Sequence, residues 1–214
     1  MSSTPARGSA DGPAPAARSG TDRRTLIADA AIATVAAAGL RGLTHRAVDT
    51  AAGLPAGSTS YYFRTRTALL GACFERLAEL DLSDFDARDG APSPPVPTGP
   101  AEAADLMADV LHRWLTTGRE RQLARYELSL EAARNPELGA RLHEAGRGAR
   151  DGAAALLAAL GAERPREAAE ALVAWTDGVL YDRLAGALAH TRPAPTREEL
   201  RALADVMVRA ALTV

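Results

Sequence analysis

Residues 43–66 read Leu-Thr-His-Arg-Ala-Val-Asp-Thr-Ala-Ala-Gly-Leu-Pro-Ala-Gly-Ser-Thr-Ser-Tyr-Tyr-Phe-Arg-Thr-Arg. Thr44 offers a hydroxyl that can cap a helix start, and Ala47, Val48 and Ala51 supply that helix with an apolar inner face. Gly53 then breaks it, because glycine enters the left-handed backbone region at little cost. Pro55 pre-sets a turn, a helix of one to two turns begins at Ser58, and Phe63 closes it onto the core. Two short helices joined by a tight turn can seat the second in the major groove of DNA, whose width suits one helix. The pattern predicts a helix-turn-helix over about 43–63. Ser58, Thr59, Ser60, Tyr61 and Tyr62 form its recognition helix, and Arg64 and Arg66 follow where they can clamp the phosphate backbone.

On either side the chain reads as helix. Leu26, Ile27, Ala30, Ala33 and Ala37 recur at helical spacing over 22–38, and Gly39 and Gly42 end that helix. A connecting helix over 67–82 carries Leu69, Leu70, Cys73, Phe74, Leu77 and Leu80. Five prolines (Pro92, Pro94, Pro95, Pro97 and Pro100) make 83–100 a loop. Further helices are expected at about 101–117, 119–134, 136–160, 165–190 and 196–213, with breaks at Gly118, Asn135-Pro136, Gly161 to Pro165 and Arg192 to Pro195. Residues 1–20, rich in Ala, Gly, Ser and Pro, read as a disordered tail, with Arg7, Arg18, Arg23 and Arg24 as solvated charges rather than a DNA-brushing arm. With 49 alanines and only 4% aromatics the composition favours helix over strand. The expected fold is all-α.

Charge divides along the same line. Residues 1–66 hold eight Arg and four acids, a net +4, whereas residues 67–214 hold 17 Arg and 23 acids, a net −6. A positive end beside a negative one suits a polyanion-binding part joined to one that does not bind polyanions. Lysine is absent, so phosphate contacts fall to Arg, His, hydroxyls and backbone amides. The single cysteine, Cys73, excludes an internal disulfide and a cysteine-rich metal site. No signal-peptide core is visible, and no apolar run approaches the roughly 18 residues of a membrane span. A cytoplasmic protein that avoids membranes is expected.

The stretch Ala52-Gly53-Leu54-Pro55-Ala56-Gly57-Ser58-Thr59-Ser60-Tyr61-Tyr62-Phe63-Arg64-Thr65-Arg66-Thr67-Ala68-Leu69-Leu70 closely resembles the recognition segment of the TetR/AcrR family of transcriptional repressors. The resemblance spans about 22–82. The Gly42-Leu43-Thr44 lead-in, the Ala51-Ala52-Gly53 turn, the Tyr62-Phe63 ending and the Leu69-Leu70 pair all fall in register. It implies an N-terminal helix-turn-helix domain (21–66) that reaches DNA through Thr44, Arg46, Ser58, Thr59, Tyr61 and Tyr62, with Arg66 where the family often has a phosphate-binding Lys. Three positions depart from the pattern. Ser60 stands where many members have Tyr, so that one usual backbone contact is either lost or moved to Tyr61. Asp49 replaces a small residue and reads as a partner for Arg46 or a rim residue. Thr59 stands where an apolar residue commonly faces the core, which puts its own DNA contact in question. His45 reads equally as a solvated helix-start residue and as a base reader.

For residues 101–214 the resemblance is one of architecture. It implies a helical effector-binding and dimerisation domain whose last two long helices pack against their mates. Leu172, Trp175 and Val179, with Leu200, Leu203, Val206, Met207 and Ala210, form the apolar stripes expected at that homodimer interface. A two-fold dimer would set its recognition helices about one DNA turn (~34 Å) or somewhat more apart, on a pseudo-palindromic operator in double-stranded DNA. Bulky or polar groups on apolar helix faces (Trp114, Arg125, Tyr126, Glu127, Glu131, Trp175, Asp177 and Tyr181) are candidate effector contacts that name no ligand. Asp81 to Asp86 and Glu198-Glu199 read as exposed acidic runs. His45, His112, His143 and His190 are scattered, and no catalytic or metal-binding motif appears, so no cofactor, metal or catalytic residue is expected. The function expected is a DNA-binding repressor released by a small-molecule effector. A ligand-independent or protein-responsive regulator, an activator and an all-α enzyme are the alternatives.

Overall fold

The computed structural model describes residues 15–86 and 96–214. Residues 1–14 of the expected tail and 87–95 of the expected loop lie outside the described residues. Among the described residues there are nine helices and no strand: α1 Pro15–Gly42, α2 His45–Ala51, α3 Ser58–Tyr62, α4 Arg66–Asp86, α5 Pro100–Leu115, α6 Arg119–Ala132, α7 Pro136–Ala159, α8 Pro165–Leu184 and α9 Arg197–Ala211. The fold is all-α, with an N-terminal helix-turn-helix followed by a helical C-terminal part.

Local chemistry sets most helix ends. Proline opens α5, α7 and α8, where its missing N–H would be unsatisfied anyway. Asn135 caps α7 by accepting from the Glu137 and Leu138 amides. Thr196 and Glu199 form a reciprocal capping box on α9. Gly39, at φ 65° and ψ 179°, breaks α1 three residues before its end. Several ends differ from the sequence expectation. α1 runs Pro15–Gly42 rather than 22–38, so residues 15–20, expected as part of a disordered tail, are helical. α4 continues to Asp86 because Asp84 and Phe85 pack inward against α5. α8 stops at Leu184 rather than 190, where the amides of Ala185 and Gly186 both donate to the Tyr181 carbonyl. A Cβ at position 186 would lie 2.6 Å from the Asp182 carbonyl oxygen, so glycine permits that tight exit.

The N-terminal helices do not fold around a core of their own. Ile27, Ala31 and Val35 of α1, Val48 of α2, Phe63, and Leu69, Leu70, Cys73, Phe74 and Leu77 of α4 share one cluster with Ala124 and Leu128 of α6 and Leu138 of α7. A second cluster joins Leu111, Trp114 and Leu115 of α5 to Leu180 and Leu184 of α8 and to Leu200, Ala204 and Val208 of α9. A third lies under α7, α8 and α9, around Leu157, Ala168, Leu172 and Met207. Residues Gly20–Gly42 of α1 are, by length and composition, apolar enough to cross a membrane, contrary to the sequence reading. Much of that apolarity is alanine, and Ile27, Ala31 and Val35 are enclosed in the first cluster.

Cys73 is fully enclosed in that cluster, and burial, with Asp29 adding repulsion, pushes its thiol up to about 12. A folded-state value above the ordinary one means that the buried thiol's contribution to stability is complete below about pH 9 and declines as pH rises toward 12. We expect the native chain at pH 8 to resist a thiolate-directed reagent such as 5,5′-dithiobis(2-nitrobenzoate), and to release one equivalent of chromophore on denaturation. Rapid stoichiometric labelling of the folded chain would contradict the burial.

Candidate nucleic-acid interface and effector region

The geometry of the helix-turn-helix follows from two left-handed glycines. Gly53 (φ 63°) ends α2, and the Leu54 amide returns to the Asp49 carbonyl at 2.9 Å. Gly57 (φ 92°) is the N-cap of α3, a position that sequence reasoning passed over, and it brings no capping side chain. Asp49 supplies the acceptors instead. Its Oδ2 accepts from the Gly57 amide at 2.8 Å, and its Oδ1 accepts from the Thr59 amide at 2.7 Å and the Thr59 hydroxyl at 2.5 Å. Asp49 is 3% exposed and Thr59 0%. Burial acts to raise the Asp49 carboxyl, but the Thr59 and Gly57 hydrogen bonds, with His45 adding attraction, hold it below the ordinary carboxylate range.

Three expectations are corrected here. Asp49 neither pairs with Arg46 nor sits at the rim; it replaces Ala51 on the inner face of α2, and Ala51 is exposed. Thr59 is withdrawn from DNA because its hydroxyl is committed to Asp49. His45 is withdrawn from base reading because its Nε2 lies 2.9 Å from the Phe63 carbonyl oxygen and ties the start of α2 to the end of α3. Arg66 is also less available than expected. Its guanidinium forks onto the carbonyls of Leu43 (2.6 Å) and Leu40 (2.7 Å), bracing the end of α1 while remaining exposed.

Arg46, Ser60, Tyr61 and Arg64 remain on the outward face, with Thr44 exposed beside them while its hydroxyl caps α2 through the Ala47 amide. Tyr61 is 79% exposed. Ser58 is half-buried and donates its hydroxyl to the Pro55 carbonyl. Tyr62 is half-buried against the core and meets Tyr61 edge-on, with ring centroids 5.1 Å apart. The Arg24 guanidinium sits 5.8 Å from the Tyr62 ring and 5.2 Å from that of Phe63, which brings a cation from α1 to the end of α3. Arg24, expected as a solvated charge of the tail, lies on α1 instead.

In the C-terminal part, five of the candidate effector residues converge with five that were not among the effector candidates: Asp81, Asp84, Phe85, Arg121 and Gln122. The Trp114 indole donates to Asp84 at 2.8 Å, and the Arg121 guanidinium bridges Asp84 and Asp81. The Gln122 amide, fully buried, donates to Asp81 and accepts from Arg125 Nε. Arg125 also reaches Asp177 at 2.7 Å, and the Tyr126 hydroxyl donates to the Asp177 carbonyl. Phe85 stacks edge-on against Trp114, and Tyr126 against Tyr181. Desolvation raises the Asp81 carboxyl against the pull of Arg121 and Arg125, and chiefly burial pushes Tyr126 up to about 12. Asp81 and Asp84 had been read as exposed; their i,i+3 spacing puts both on one face of α4, and that face turns inward.

Glu127 leaves this group. Its Oε2 accepts from the Leu40 amide at 3.0 Å, beside the Gly39 break, so it joins α6 to the end of α1. Glu131 lies farther along α6, half-buried. Of the expected dimer stripes, the outer face is left to Trp175 on α8 and to Leu203 and Val206 (64% exposed) on α9. Leu172, Leu200 and Met207 do not belong to that face, because they fill the chain's own second and third cores. Val179 and Ala210 are half-buried between the two.

Comparison with known proteins agrees with this geometry. The family profile for the tetracyclin repressor-like C-terminal domain matches residues 98–212. A TetR-family member from Streptomyces coelicolor (SCO1917) is 32% identical over 87% of this chain and 98% of its own, with a TM-score of 0.65. The multidrug-binding protein EbrR, in complex with malachite green, is 33% identical over 87% of this chain and 98% of its own, with a TM-score of 0.59. A TetR-family regulator from Rhodococcus matches in fold at 21% identity, over 90% of this chain and 99% of its own, with a TM-score of 0.69. No curated protein sequence matches the chain.

Proposed function

Because the chain belongs to the TetR family of transcriptional regulators, we propose that it is a homodimeric cytoplasmic repressor whose α3 helices read a pseudo-palindromic operator. A small organic molecule, bound among α4, α5, α6 and α8, releases it. The observation that carries the DNA half is the outward face of the helix-turn-helix. Arg46, Ser60, Tyr61 and Arg64 stand clear of the core there, while the side chains behind them are bonded inward. The apolar face of Trp175, Leu203 and Val206 suits a second copy of the chain.

The effector half rests on the buried polar cluster. Asp81, Asp84 and Asp177 sit among Trp114, Phe85, Tyr126 and Tyr181, with Arg121 and Arg125 neutralising them internally. EbrR has been seen with ethidium, proflavin and malachite green, which are cationic aromatic dyes. An aromatic cation of that kind would stack on the rings and compete with the guanidinium groups for the carboxylates. The exchange would shift α4 and α6, and both reach the end of α1, through Arg66 and Glu127 respectively. Release then depends on the dye's preference for the shifted arrangement, since a ligand biases two states only by its differential affinity for them.

The test is a selection from a random-sequence duplex library, followed by binding at several salt concentrations and in the presence of malachite green. We expect an enriched pseudo-palindrome, a steep fall in affinity with salt, and release by malachite green. Tyr61→Ala should weaken binding by about tenfold, the scale of one lost groove contact, without lowering the melting temperature. Salt-independent binding would refute the DNA reading. Duplex retained at saturating malachite green would refute the proposed effector class.

A further inference from the structure

We infer that Asp49 and Thr59 are positioning residues for DNA recognition: a buried pair that touches no DNA and sets the pose in which Ser60 and Tyr61 meet the bases. This rests on the DNA-binding reading above. The five residues of α3 make fewer than two turns and leave its first amides without helical partners. Its N-cap is a glycine, so the cap comes from across the turn, from the Asp49 carboxylate on α2. Three donors from Gly57 and Thr59 converge on two oxygens of one ionised group, in a site closed to water. Charge-assisted hydrogen bonds of this kind are short and directional.

The consequence is orientational. An apolar contact between α2 and α3 would tolerate a small slide or rotation of the recognition helix, whereas these three bonds fix its first turn at both the backbone and a side chain. His45 fastens the other end by its contact with the Phe63 carbonyl. Between the two ties the chain presents Ser60 and Tyr61 outward. Groove contacts depend on placement to within about 0.5 Å. The two departures seen in the sequence at positions 49 and 59 are therefore one device.

The experiment compares binding to the duplex selected by the wild-type chain with binding to a scrambled duplex of the same composition. The ratio of the two affinities is measured well below each variant's melting temperature. Thr59→Val keeps the shape and deletes only the hydroxyl donor; the ratio should fall about fivefold or more, with the salt dependence unchanged. Thr59→Ser restores the donor and should return the ratio to within about twofold of wild type. Asp49→Ala with Thr59→Val removes both polar members from the buried site; its ratio should stay low even where its melting temperature exceeds that of Thr59→Val. An unchanged ratio in Thr59→Val, or a ratio that simply follows melting temperature across the set, would overturn the inference. A library that yields no enriched duplex would overturn the DNA-binding reading and this inference together; an enriched duplex with unaffected variants overturns the inference alone.

Discussion

Leu203→Glu combined with Val206→Glu is expected to convert the chain to a monomer and to weaken binding to its selected duplex by ~100-fold or more. Val206 is 64% exposed and Leu203 36%, about one turn apart on α9, and Trp175 of α8 is exposed as well. Two carboxylates in the centre of an apolar interface would be desolvated without partners, a cost that such an interface does not recover. DNA affinity then falls because two linked recognition helices bind as one unit, and linkage raises affinity by about 100- to 10,000-fold over a single site. Neighbouring Leu200 and Met207 face the chain's own core, so the substituted positions can change without opening it. Sedimentation velocity and duplex titration on the same samples decide the matter. A double variant that stays dimeric, or a folded monomer with full duplex affinity, would show that this face is not the one that pairs.

The second large effect is expected at Asp84. Asp84→Ala should lower the unfolding free energy by about 3–5 kcal/mol, the range seen when one partner of a buried ion pair is removed. Asp84 is 9% exposed and accepts from the Trp114 indole and the Arg121 guanidinium, with Arg113 3.5 Å away. Truncation leaves Arg121 with Asp81 at 3.4 Å, while Arg121 Nε is already buried with no hydrogen-bond partner. It also strands the indole N–H of a tryptophan packed in the α5–α8–α9 core. Asp84→Asn keeps an acceptor for the indole and should lose less. Urea unfolding of the three proteins measures the difference. A loss below about 1 kcal/mol in Asp84→Ala would mean that Asp81 carries Arg121 unaided.

These two sites were legible to different degrees. The outer stripe of α9 could be read from helical spacing, but spacing could not divide it: Leu200 and Met207 share its period with Leu203 and Val206 and occupy the buried edge of the same stripe. An amphipathic helix with two apolar neighbours shows one broad stripe, and only the packing says which edge each neighbour takes. Asp81, Asp84 and Gln122 were not legible at all as buried groups. A polar residue goes inside only when another element brings it a partner, and those partners, Trp114 and Arg121 for Asp84, Arg121 for Asp81 and Asp81 for Gln122, lie 30 or more residues away.

The helix-turn-helix divides in the same way. Its existence and its position follow from Thr44, Gly53, Pro55 and Phe63, because caps, left-handed glycines and preset turns act over four or five residues and need no distant partner. The all-α class follows likewise from helical periodicity and alanine content. What only the packed chain decides is which side chains remain for DNA. Thr59, His45 and Arg66 all carry groups suited to phosphates or bases, and each is turned to Asp49, Phe63 or the end of α1. Glu127 was placed by its helix among effector contacts and instead holds the Leu40 amide. A hydrogen-bonding group is committed by the geometry of its nearest complement. In these cases the complement comes from another helix or from the far side of a turn, so the choice between grip and brace is made in three dimensions.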